Sequence, residues 1–153
     1  MKKNNINMDM MLSENFRLGE FINSRTAERL GIDNTPSWEV VFHLRQLCRE
    51  VLQPLRDHYG RPIVITSGYR CPELNEAVHG VGESQHLYGC AADLRLPDID
   101  TGRQWYFWIV NHLDFDQLLL EHNRRGDSWL HVSHQPDYKQ NRHQAFFNYK
   151  SKE

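Results

Sequence analysis

The sequence predicts one α+β domain, a mainly antiparallel sheet covered by helices. Helical patterns come first, and then strand patterns with helices between them. Neighbouring strand segments are joined by short polar turns, as in hairpins. A length of 153 residues, 39% hydrophobic and 25% charged, suits one domain with its own core. There is no repeat, low-complexity tract or long linker.

Residues 1–11 are polar and methionine-rich and are expected to be flexible, with the domain spanning 12–153. Ser24 can cap a short helix, TAERLG, that Gly31 closes. Ser37 and Trp38 open a long helix. Trp38, Val41, Leu44, Cys48, Val51 and Leu55 recur along it at helical steps and form one apolar face. Pro54 should kink or divide this helix, and Gly60 ends it.

RPIVITS, β-branched and bounded by turn residues, reads as a strand. Pro72 and Gly80 bracket a short helix, and AADLRL is a second strand after the Tyr88-Gly89 turn. Thr101 can cap the helix GRQWYFWIVNHL. DQLLLEH and WLHVSH are two further strands around the loop NRRGDS. The tail DYKQNRHQAFFNYK is open between strand and coil.

A formal net charge of −2 gives no support to nucleic acid or an anionic membrane as partner. No run approaches the roughly 20 apolar residues of a membrane span. Three cysteines without paired spacing argue against a disulfide framework and for a reducing compartment. With no apolar export signal in MKKNNINMDMMLSENF, the expectation is synthesis in the cytosol, as a monomer.

Asp93 stands in its strand between Ala92 and Leu94. A carboxylate there is costly unless it is paired or metal-bound. His86, in the polar loop ESQHLYG, can converge on it, as a metal ligand or as a hydrogen-bonded partner. Alternation puts Trp129, His131 and Ser133 on one side of their strand, with Leu130, Val132 and His134 on the other. His86, Asp93 and His131 together form a candidate site of two imidazoles and a carboxylate. Three protein ligands leave zinc a vacant position, which is the catalytic type of site.

The run SGYRCPELNEAVHGVGESQHLYGCAADLRL, with WLHVS after it, resembles the zinc D-alanyl-D-alanine carboxypeptidase and murein endopeptidase family, which shares a fold with the hedgehog signalling domain. The motif is carried by Ser67-Gly68-Tyr69-Arg70, Ser84-Gln85-His86, Gly89, Ala91, Asp93 and Trp129-Leu130-His131. LSENFRLGEF, RLGIDNTP and LCREVLQPLRDHYG also resemble a subgroup found in phage and prophage genomes. The resemblance implies one zinc ion on His86, Asp93 and His131. It further implies that Arg70 meets a substrate carboxylate or the carbonyl oxygen gaining charge, a role suited to a planar guanidinium.

Many relatives carry an acidic residue three positions before the last histidine, where this chain has Ser128. Two candidates for the general base remain. Glu121 ends the strand DQLLLE and shares a face with Gln117 and Leu119, so a hairpin brings it beside the histidine strand. Asp127 lies in the loop NRRGDS, where aspartate is ordinarily a turn former. Glu121 is preferred. Of the other histidines, His43, His58, His79, His112 and His143 read as surface or helix-end residues, and alternation sends His122 and His134 away from the metal face. Cys90 reads as a small half-buried residue, although a thiol near the ion could alter metal choice. Trp105, Tyr106, Phe107 and Trp108 read as core rather than a sugar platform.

The function expected from the resemblance is zinc-dependent hydrolysis of peptidoglycan stem peptides, as a carboxypeptidase or an endopeptidase. The wall would be reached after lysis, through a pore or on a phage particle. The competing reading is a non-catalytic zinc module of a cell-wall or particle assembly, and a weaker third is a metal-free scaffold.

Overall fold

The computed structural model describes residues 5–151. The expectation of a frayed start falls partly on residues 1–4, outside the described range. Ile6 is already buried, and Met8 and Met10 pack against the core. Packing therefore begins before residue 12, because apolar side chains set among polar ones are still drawn onto the core. A small antiparallel hairpin follows, β1 (Met11–Ser13) and β2 (Phe16–Arg17), and then α1 (Gly19–Ile22).

Helix α2 (Arg25–Leu30) starts where the Ser24 hydroxyl accepts the Ala27 N–H at 3.2 Å and stops at left-handed Gly31. Ser37 caps α3 (Trp38–Leu47) in the same way. The long helix is divided, as Pro54 required. A π-helical stretch, Cys48–Leu52, passes into α4 (Gln53–Tyr59), which carries Pro54 in its first turn and ends at Gly60. Proline has no N–H to donate, and the wider turn absorbs the interruption. The apolar face survives, since Leu44, Leu47, Cys48, Val51, Leu52 and Leu55 are all fully buried. Trp38 departs from expectation at 54% exposed, because Val40 and Val41 of the same first turn are the residues that reach the core.

Strand β3 is shorter than RPIVITS suggests, only Ile65–Ser67, with a register irregularity between Ile65 and Ser67. It lies at the sheet edge and pairs with β4 (Ala91–Arg95) alone. Between them lie α5 (Pro72–Ala77) and a 3-10 turn, Gln85–Tyr88. Helix α6 spans Ile99–His112, and its cap is Asp98 rather than Thr101. The Asp98 carboxylate accepts both the N–H and the hydroxyl of Thr101, and an anion is favoured at a helix N-terminus over a neutral hydroxyl.

The sheet is completed by β5 (Gln117–His122), β6 (Ser128–Ser133) and β7 (Gln144–Lys150), in the order β3-β4-β6-β5-β7. All pairings are antiparallel except β5 with β7. The ambiguous tail is thus the second edge strand. The architecture is the single α+β domain expected.

Alternation gives the sheet two unlike faces. Ala92, Leu94, Leu118, Leu120, Leu130 and Val132 turn towards the helices, into one core with Leu44, Leu55, Trp105 and Ile109. Each such leucine contributes about 1.5–3 kcal/mol by leaving water. Their sequence neighbours Asp93, Gln117, Leu119, Glu121, Trp129 and His131 line a cleft instead.

Candidate metal centre and cleft

Burial of the core face sets the register of β4 on β6, and that register puts Asp93 directly across from His131. Their side chains meet, His131 Nδ1 to Asp93 Oδ1 at 2.9 Å. His86 arrives from the other side on the 3-10 turn, with Nε2 3.5 Å from Asp93 Oδ2. One donor atom from each of the three residues lies within 4.8 Å of the other two, and no other such group occurs among the described residues.

The motif Ser67-Gly68-Tyr69-Arg70 acts by holding His86. The Gly68 carbonyl accepts the His86 Nδ1–H at 2.7 Å, and the Arg70 N–H donates to the His86 carbonyl at 3.0 Å. This fixes the tautomer and leaves the Nε2 lone pair for the cluster. Gly68 must be glycine because a Cβ there would stand 2.6–2.7 Å from Phe21 backbone and side-chain atoms. The turn itself ends at Gly89, whose φ of 73° lies in the left-handed region and which abuts Val40.

Electrostatics separate the three groups. Burial pushes His86 below its ordinary value despite the pull of Asp93, so its imidazole stays neutral and fit to ligate. Burial also opposes charge on His131, but the hydrogen bond to Asp93 outweighs it and raises that histidine. Burial would raise the Asp93 carboxyl, yet His86 and His131 together hold it well below the usual carboxylate range. Asp93 is therefore an anion at neutral pH.

Arg70 is buried beside the cluster, its Nη2 3.7 Å from Asp93 Oδ2. Ser67 Oγ takes its Nε–H at 3.1 Å, and Asn75 Oδ1 takes an Nη1–H at 3.1 Å. Glu121 faces Trp129 across the β5–β6 ladder, with Oε1 4.0 Å from His131 Nδ1. Asp127 lies away from it, exposed and closing the hairpin loop with Asn123. Gln117, Leu119 and Glu121 share one wall of the cleft, as alternation requires. The cleft encloses about 370 Å³. It meets a second depression of about 820 Å³ at Arg70, Asp93 and Trp129.

The bland readings find physical grounds. His43 binds the Tyr88 carbonyl, His58 and His112 stack on Trp108, and His143 pairs with Asp114. His122 and His134 line neither depression. Cys90 is buried, its thiol pushed up to about 12 by desolvation, and it is not in the ligand group. Trp105 and Tyr106 join the core while Phe107 is exposed. Asp116 and Arg142 are additions. Asp116 sits in an apolar run, PheAspGlnLeuLeuLeu, and the same cost argument that singled out Asp93 applies to it. Arg142 carries no such signal, because its place depends on where β7 docks.

The donor set suits zinc. One donor atom from each residue lies within 4.8 Å of the other two, near enough for small side-chain rotations to bring all three to zinc bonds of about 2.0–2.2 Å. Two imidazoles and a carboxylate are borderline and hard ligands that zinc accepts. None of the curated proteins matches the chain. The family model described as Peptidase M15 matches residues 14–133, from β2 through the last residue of β6 and across every residue of the cluster. With that span covered, the chain belongs to the peptidase M15 family, a family of zinc-dependent peptidases.

Proposed function

We propose that the protein is a zinc metallopeptidase that hydrolyses peptide bonds in the stem peptides of bacterial peptidoglycan. The observation that carries this reading is the convergence of His86, Asp93 and His131 on a cleft that also holds Glu121 and Arg70. These three residues would hold one zinc ion. When bound, it supplies Lewis acidity and a water made acidic enough to ionise near neutral pH. Glu121 accepts the proton of the attacking water and returns it to the leaving amine. Arg70, its guanidinium fixed by Ser67 and Asn75, donates to the carbonyl oxygen as charge develops there or to a substrate carboxylate. Two depressions meeting at the cluster leave room for substrate on both sides of the scissile bond.

Incubation with purified peptidoglycan, with and without chelator, tests the reading. Chelator-sensitive release of free amino groups is the expected result. Stoichiometric zinc with no release from peptidoglycan or defined muropeptides refutes it and leaves the non-catalytic module.

A further inference from the structure

Beyond Ser133 the chain leaves the stretch matched by the family model and turns through Tyr138–Gln140 into β7. This segment builds part of the cleft, since Arg142 and Tyr149 line it together with His86, Asp93, Glu121 and His131. Arg142 is held from behind by Asp116, which is 0% exposed and immediately precedes β5. Its Nε donates to Asp116 Oδ1 at 2.9 Å and its Nη2 to Oδ2 at 2.7 Å, while its backbone N–H also reaches Oδ1 at 2.9 Å. Oδ2 additionally accepts Gln85 Nε2 at 2.9 Å and Gln135 Nε2 at 3.0 Å. Gln85 is the residue before His86, so one carboxylate ties the cleft wall to the ligand turn.

An apolar residue in place of a buried carboxylate and its arginine often leaves stability unchanged, so stability is a weak account of this pair. It does fix the guanidinium plane. Gripped through Nε and Nη2, Arg142 keeps an Nη1 group with no partner among the described residues, on a side chain 47% exposed. A planar guanidinium with a free edge matches a carboxylate.

We propose that Arg142 is a specificity-determining residue that binds a carboxylate of the peptide substrate, at a subsite made by the C-terminal segment, with Asp116 as its positioning residue. The proposal rests on the peptidase reading above. The carboxylate is either the terminal one of the peptide or that of an acidic side chain.

A synthetic stem pentapeptide is prepared in four forms: free, amidated at the C-terminus, amidated at its acidic side chain, and amidated at both. KM and kcat for each are measured with wild type, Arg142→Ala, Arg142→Lys and Asp116→Asn, alongside zinc content and melting temperature. In wild type, amidating the recognised carboxylate raises KM about tenfold or more, the worth of a charge-assisted hydrogen bond. In Arg142→Ala that discrimination is lost, and in Asp116→Asn it is reduced. The amide that wild type rejects identifies the terminal or side-chain source. Variants that keep the wild-type discrimination, or that raise KM equally for all four peptides, overturn the proposal. If Arg142→Ala does not fold, Arg142→Lys, which keeps the charge without the fork, decides by the same comparison. Zinc-loaded wild type that cuts none of the peptides refutes the peptidase reading. Calorimetric titration of the four peptides into wild type and Arg142→Lys then judges the subsite by the same loss of discrimination.

Discussion

Gly68→Ala puts one methyl group where the structure has none to spare. The new Cβ would lie 2.6 Å from the Phe21 carbonyl oxygen and 2.7 Å from its Cα and Cβ, against an ordinary contact of at least 3.4 Å. The strand end and α1 must separate by about 0.8 Å to accept it. One hydrogen bond crosses this junction, Tyr69 N–H to the Phe21 carbonyl at 2.8 Å, and the Gly68 carbonyl on the same strand end accepts His86 Nδ1–H at 2.7 Å. A shift of that size stretches the first to about 3.6 Å, past a useful hydrogen bond, and displaces the Gly68 carbonyl from its place against His86. Overpacking of this kind costs about 1–3 kcal/mol, or a melting temperature roughly 2–12 °C lower in a chain this long. Misalignment of the carbonyl that fixes the His86 tautomer lowers metal affinity about 10–100-fold. Chelator competition gives the zinc Kd, and thermal unfolding in excess chelator gives the stability without metal. A variant within twofold of wild type in Kd and within 1 °C in melting refutes the claim that Gly68 is required by close approach and holds His86.

Glu121→Gln should retain stoichiometric zinc and lose about 10²–10⁴ in kcat, measured on muropeptides, whereas Asp127→Asn should change kcat less than twofold. Wild-type turnover in Glu121→Gln with normal zinc removes it as the base. Zinc added to the metal-free protein at a hundred times its Kd should stabilise it by about 2.7 kcal/mol in thermal unfolding, and His86→Ala should abolish that gain. Burial opposes charge on Asp116, but hydrogen bonds from Arg142 and Gln85 outweigh it and hold the carboxyl below its ordinary value. Its stabilisation is therefore present above the unfolded value near ~4 and is lost as pH falls below it. In chelator, Asp116→Asn should be less stable by about 1–3 kcal/mol at pH 7, with the gap narrowing towards pH 3. A gap that is constant with pH assigns the effect to shape instead of charge. Leu120→Ala, on the core face, should cost about 2–5 kcal/mol in denaturant unfolding.

Much of this was legible before any coordinates. The helix starts at Ser24 and Ser37 and the division at Pro54 are decided by local hydrogen-bonding chemistry, which the residues carry with them. Period-two alternation likewise separated Leu118 and Leu120 from Leu119 and Glu121, and Leu130 from His131. Asp93 stood out because an anion beside Ala92 and Leu94 needs a partner. Other features depended on contacts between segments far apart in the chain. The α6 start is not one of them, since the Asp98 carboxylate that took the cap stands only three residues before Thr101. The tail became a strand only because β5 offered it an open edge. The grip of Gly68 and Arg70 on His86, and of Asp116 on Arg142, joins residues whose proximity no local pattern encodes. The ligand types and the faces they occupy were therefore set by the order of residues. Their common meeting point, and the walls around it, were set by strand register and by where the edge strands docked, because the burial that decides both is a property of the whole packed chain.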